Sequence, residues 1–142
     1  MKSIDKFFGE YRFLSNFWFA ETTYEGLTYP TSEHAYQAAK SNDQAVRKAF
    51  QKLPTPGLAK SAGAALPWNN DFNKLQVMYD VVKNKFSKEP MRSKLLSTGD
   101  AELIEGNSWG DVFWGVCRGV GENNLGKILM RVRNEIKEKE VS

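Results

Sequence analysis

Apolar positions recur every three or four residues along much of this chain, and each recurrence predicts a helix. Phe72, Leu75, Tyr79, Val82 and Phe86 share one face and predict a helix starting at Asn70 or Asp71 with that stripe buried. Leu125, Ile128, Leu129, Val132 and Ile136 do the same for a final helix, with Asn123 or Asn124 placed to cap it. Ala35, Ala38, Ala39, Val46, Ala49 and Phe50 fall on one side of a helix capped by Thr31 and running from Ser32 towards Phe50. Thr55-Pro56 reads as an N-cap followed by proline at the first helical position, with the helix ending near Gly63. Met91 to Leu96 is a short helix stopped at Thr98-Gly99.

The first 30 residues have a different pattern, with aromatic runs in F-F-G and F-L-S-N-F-W-F, a turn at Tyr24-Glu25-Gly26, and L-T-Y-P closed by Pro30. Aromatic enrichment around a Glu-Gly turn predicts extended structure with a short β-hairpin. Glu102 to Glu105 and Val112 to Val116 are strand candidates. Together these elements predict a helix-dominated α+β fold with a small β-sheet drawn from the two ends of the chain.

Composition narrows this picture. The 142 residues suffice for one domain with its own core, and 41% hydrophobic and 13% aromatic content marks a globular chain. The net charge of +3 is spread out, without the Lys/Arg block of a nucleic-acid arm. Cys117 is the only cysteine, which excludes an internal disulfide and points to a reducing compartment. Neither a signal-peptide core nor a membrane-length apolar run is present, so a cytoplasmic protein without membrane association is expected.

Candidate chemistry concentrates in two places. Six of the eleven glycines fall between Gly106 and Gly126, among Trp109, Asp111, Trp114 and Asn123. Such crowding suits a loop whose backbone approaches a ligand, with indoles to stack on it and a helix start behind it. Asp111, flanked by aromatic residues, reads either as a carboxylate with a tuned environment or as a turn former. The second place is S-E-H-A-Y-Q-A-A-K, where Glu33, Gln37 and Lys40 line one helix face. A carboxylate, an amide and an ammonium in line can orient a polar ligand and move its protons; the same line also suits a solvated face. His34 is the only histidine and lacks the companions of a metal site. Lys60, near a helix start, suits a phosphate or is a plain surface lysine. Asn16 within L-S-N-F-W-F is an edge residue or a ligand-reading amide, and Cys117 a small buried hydrophobe.

The order of the motifs carries more than any one of them. L-S-N-F (14–17), Y-P-T-S-E-H-x-Y-Q-x-x-K (29–40), A-K-x-x-G (59–63), M-Y-x-V-V-x-x-K-F (78–86), L-x-x-T-G (95–99), E-L-I-E-x-N (102–107), W-G (114–115) and G-x-N-x-L-G-K-x-L-M-x-V-R (121–133) together resemble the NADAR family over about 120 residues. The resemblance implies a single compact domain over 1–142, core about 7–138, with a mostly helical YbiA-like fold. It implies hydrolysis of an N-glycosidic bond between a ribose-type sugar and a nitrogenous base, with no cofactor and no metal. Family substrates are phosphoribosylamino-pyrimidine intermediates of riboflavin synthesis, while related members remove ADP-ribose from guanine in nucleic acid.

Carried onto this sequence, the motif carboxylates fall on Glu33 and Asp111 as the expected catalytic pair. Asn16, Phe17, Gln37, Lys40, Lys60, Trp114, Gly115 and Asn123 match positions expected to bind substrate, and Trp109 is added as a second stacking indole. In this scheme Lys40 and Lys60 neutralise phosphate, and Phe17 and the two indoles wall the base. Two departures stand out. Position 64 is Ala where the family often has Arg, and Phe72 follows Asp71 where it often has Trp, with Trp68 four residues upstream. The rival reading is a module that binds ADP-ribose or a nucleotide without turning it over.

Overall fold

In the computed structural model, which describes residues 2–141, the chain runs through β1 (Ser3–Ile4), a 3-10 helical segment (Gly9–Leu14), β2 (Thr22–Tyr24), β3 (Leu27–Tyr29), α1 (Ser32–Ala38), α2 (Gln44–Gln51), α3 (Pro56–Ala64), α4 (Lys74–Lys85), α5 (Met91–Leu96), β4 (Glu102–Leu103), β5 (Gly106–Asn107), β6 (Val116–Cys117) and α6 (Asn124–Val141). Contacts gather these elements into two units, Asn16–Ser87 and the residues up to Ser15 with those from Lys88 onward. Among the described residues no helix is long and apolar enough to cross a membrane.

In the Asn16–Ser87 unit, β2 and β3 form the expected antiparallel hairpin, with Thr22 opposite Tyr29 and Thr23 opposite Thr28. Its two turn residues, Glu25 and Gly26, both have positive φ (46° and 85°), the backbone twist that a two-residue hairpin turn needs. Every residue of α1 is buried, and α1 packs on α2, α3 and α4. Thr31 caps it by accepting from the His34 N–H (3.1 Å), and Thr55 caps α3 through the Leu58 N–H (3.1 Å), both as the sequence predicts.

The single helix expected from Ser32 towards Phe50 is two helices. Ser41-Asn42-Asp43 breaks it, and Asp43 caps a new start by accepting from the Ala45 N–H at 2.8 Å. In α2, Arg47 and Phe50 are buried while Ala49 is exposed. The Arg47 guanidinium bonds the Ser41 carbonyl and Glu25, both at 2.7 Å. Helix α4 begins later than expected, at Lys74, because Asn69 and Asn70 hold the preceding segment in turns and Asn73 is the cap. Its buried face is also rotated. Val77, Met78, Val81, Val82 and Lys85 point inward against α1 and β2, whereas Leu75 is 45% exposed.

The second unit pairs β1 with β4 in parallel, Ser3 opposite Glu102 and Ile4 opposite Leu103. Residues near the start of the chain therefore do join a sheet with a late segment, but as one of three two-stranded sheets among the described residues. Residues 9–14, expected to be extended, coil into the 3-10 segment and bury Phe13 and Leu14. The strand expected over Val112 to Val116 shrinks to β6, paired in parallel with β5. Asp111 draws in the N–H groups of Phe113 and Trp114, and that bend removes both from a ladder. The strand expected over Glu102 to Glu105 is likewise limited to β4. Helix α6 buries Leu125, Ile128, Leu129 and Val132 as predicted, with Ile136 half-buried. Its Arg133, also buried, donates to the Thr98 hydroxyl and the Ala101 carbonyl, both at 2.8 Å.

Candidate functional site

The Asn16–Ser87 unit brings together four of the residues singled out in the sequence. Thr31 fixes where α1 starts, so Glu33 stands on its first turn and Gln37 one turn later on the same face. The Gln37 amide donates to Glu33 Oε2 at 2.6 Å. Glu33 is 8% exposed and Gln37 5%, which overturns the solvated-face alternative. An anion at this end of a helix is favoured by the N–H groups that face it. Just past the helix, the Lys40 ammonium lies 5.7 Å from the centre of the Tyr36 ring. Burial pulls Lys40 below the usual lysine range, and the nearby Glu33 charge works the other way.

Asn16 is built into the start of this helix. Its carboxamide oxygen accepts from the Ser32 hydroxyl (2.8 Å), its N–H donates to Met78 Sδ (3.4 Å), and its carbonyl accepts the Glu33 N–H (3.1 Å). Buried His34 completes the framework. Its Nε2 faces the Leu53 carbonyl at 2.9 Å, so that nitrogen carries the proton and Nδ1 accepts from the Thr31 hydroxyl at 2.7 Å. Burial holds its pKa below the ordinary histidine value, despite the opposing carbonyl. Phe17 is 43% exposed beside Asn16, while Lys60 stands exposed on α3.

Two residues here were given no role from sequence. Gly63 of α3 lies against Gln37, and a Cβ at that position would overlap the Gln37 carboxamide. Its signal was only the glycine of A-K-x-x-G. Lys85 is wholly buried in α4 with its ammonium 4.9 Å from the Phe86 ring centre, and burial lowers its pKa to about 7. A lysine inside the apolar periodicity of α4 was the available sign.

The remaining sequence candidates lie in the other unit. Asp111 Oδ1 accepts from the N–H groups of Phe113 (3.1 Å) and Trp114 (2.9 Å), while Asn107 brackets the Asp111 backbone on both sides. The turn-forming role weighed for Asp111 is therefore observed. Asn123, at φ 54°, donates to the Leu103 carbonyl and accepts the Glu105 N–H, both at 2.9 Å. Gly115 is buried where a Cβ would overlap Glu105, which explains the glycine of W-G. Trp114 is half-buried edge-on to Phe113 (4.7 Å), and Trp109 is 57% exposed. Among the described residues no three His, Cys, Asp or Glu side chains gather as a metal site.

The NADAR domain model matches residues 6–137. Escherichia coli N-glycosidase YbiA is 34% identical over 133 residues, covering 89% of this chain and 82% of that protein. A riboflavin biosynthesis protein of Vibrio vulnificus is 36% identical over 138 residues, 89% of this chain; the chain spans only 36% of that protein's length. The NMR structure of E. coli YbiA superposes with a TM-score of 0.86 at 31% identity, covering 100% of this chain and 90% of that one. The chain belongs to the NADAR family and falls in the N-glycosidase class of its relatives.

Proposed function

We propose that the protein hydrolyses the N-glycosidic bond between a phosphoribosyl or ADP-ribosyl group and a nitrogenous base. The observation that carries the reading is the buried Glu33 carboxylate, oriented by Gln37 and lying in the field of Lys40. Departure of a base leaves positive charge at the anomeric carbon, which a fixed carboxylate stabilises while it takes a proton from the attacking water. Water leaves its oxygen and one proton on the sugar as the new anomeric hydroxyl, the carbon–nitrogen bond breaks, and the proton taken by Glu33 passes to the departing base, which restores the carboxylate. Gln37 keeps the carboxylate from turning, and Asn16 with Ser32 sets the start of the helix that presents it. Lys40 neutralises a substrate phosphate. For Asp111 we assign a positioning role in its own loop, through the two backbone groups it holds.

Two substrate forms suit this chemistry. One is a phosphoribosylamino-pyrimidine, in keeping with the Vibrio relative's name as a riboflavin biosynthesis protein; the other is an ADP-ribosyl group on guanine, which offers the same bond. Incubating the protein with each and following the free base by mass spectrometry tests the reading. Glu33→Gln is expected to lower kcat by about 10²–10⁴-fold with an unchanged melting temperature. Wild-type protein that releases no base from either substrate overturns the proposal. Asp111→Asn reads the other assignment, since a large kcat loss without any change in melting would make Asp111 a group that touches substrate.

A further inference from the structure

His34 follows Glu33 in α1, is fully buried, and takes no part in the chemistry above. Both of its ring nitrogens are spent on neighbours. Nδ1 accepts from the Thr31 hydroxyl that caps α1, and Nε2 donates to the Leu53 carbonyl. The first bond fixes the second. Thr31 already accepts the His34 N–H, its hydroxyl proton points at Nδ1, and the ring's own proton is left for Leu53. Leu53 is the joint between two helices. Its N–H closes α2 on the Phe50 carbonyl at 3.2 Å, and Thr55, two residues on, caps α3. Helix α3 then packs along α1 and meets it again at Gly63, which lies against the Gln37 carboxamide. The chain of α3 is therefore fastened to α1 at both ends, before its start by His34 and near its finish by Gln37. The seat at Gly63 is as close as a residue without Cβ allows, so a small movement of α3 opens it.

We propose that His34 is a positioning residue for N-glycoside hydrolysis: by holding the Leu53 carbonyl it sets where α3 begins, and α3 in turn keeps Gln37 packed with its amide on Glu33. The inference rests on Glu33 as the N-glycosidase carboxylate, and His34 itself touches no substrate. A helix moves as a rigid rod. The nine residues of α3 rise about 13 Å, and a shift at the Leu53 end is delivered to Gly63. Gln37 released from Gly63 gains rotamers, and the carboxylate it orients loses its fixed direction.

Side-chain NMR and kinetics of wild type, His34→Asn and His34→Gln test it. Asparagine puts an amide oxygen where Nδ1 stood and falls short of Leu53, whereas glutamine puts an amide N–H where Nε2–H stood. In wild type at neutral pH the ring is expected to be protonated on Nε2 alone. In His34→Asn the Gln37 side-chain amide signals are expected to move. On the phosphoribosyl or ADP-ribosyl substrate that wild type cleaves, kcat is expected to fall about tenfold to a hundredfold while KM changes less than about twofold. His34→Gln is expected to restore the Gln37 signals and most of kcat. A histidine that serves folding alone would lower the melting temperature in both variants and leave the Gln37 signals and the kcat of folded protein unchanged, and that result overturns the proposal. A wild-type ring protonated on Nδ1 overturns it as well, and needs no variant. Base release by wild type with Gln37 signals that stay put in His34→Asn leaves the reaction standing and removes the tether. Gln37 signals that move in His34→Asn and return in His34→Gln, without base release from either substrate, keep the tether and remove the reaction.

Discussion

Lys85 shows how much one buried charge changes what the protein does with pH. Its native pKa is lowered to about 7, while in the unfolded chain the ammonium keeps its ordinary value near 10.5. Between those values the unfolded state holds a proton that the native state has released. Stability therefore rises with pH across that window and levels off above it. Urea denaturation at pH 7 and pH 9.5 is expected to show a gain for wild type and a nearly flat response for Lys85→Met. Equal slopes in the two proteins would show that another group is responsible. Gly63 makes the second prediction at this scale. A methyl group at residue 63 collides with Gln37, which is buried and has no room to swing. Gly63→Ala is expected to cost about 1–3 kcal/mol in a thermal melt. It should also lower kcat, because displacing Gln37 releases Glu33.

Among the elements, caps decide boundaries and packing decides faces. Thr55→Ala removes the acceptor for the Leu58 N–H at the start of α3 and is expected to cost about 1 kcal/mol, seen as a lower urea midpoint with an unchanged slope. Thr31 and Thr55 were legible in the sequence because a hydroxyl ahead of a helical run has few other uses. Asp43 was not, since the alanine and phenylalanine periodicity of residues 35–50 continues across it and conceals the break. The face of α4 was misplaced for a related reason. Phe72 and Leu75 extend its stripe on paper, but the turns held by Asn69 and Asn70 place Phe72 before the helix, where it meets Tyr36 edge-on at 5.4 Å. The four-residue spacing of Glu33 and Gln37 puts them on one helix face, and the structure joins them by a hydrogen bond. Their burial was not legible, because it depends on α2, α3 and α4 arriving from distant parts of the chain. Asp111 and Asn123 stand out in the sequence as polar residues among glycines, but only three dimensions show Asp111 holding the N–H groups of its own loop and Asn123 reaching back to Leu103 and Glu105.

For the whole molecule, charge sets an expectation about substrate handling. A net charge of +3 without a basic block gives few phosphate contacts to release counterions. The logarithm of KM for a small phosphorylated glycoside should therefore change with the logarithm of salt concentration with a slope of about 1–2, as for one or two phosphate contacts. A steep slope, as for a protein that tracks a nucleic-acid backbone, would identify a polymer as the true substrate.

The pairing of Ser3–Ile4 with Glu102–Leu103 also bears on how the protein is made. A ribosome completes every residue of the Asn16–Ser87 unit before it has synthesised the partner of β1. The helix bearing Glu33 can therefore assemble with its neighbours during synthesis, while the first strand waits through about a hundred residues of translation. Pulse-labelled hydrogen exchange during refolding should find α1 and α4 protected ahead of the β1–β4 pair. On that account the carboxylate at the centre of the proposed chemistry is in place before the chain has closed on its own beginning.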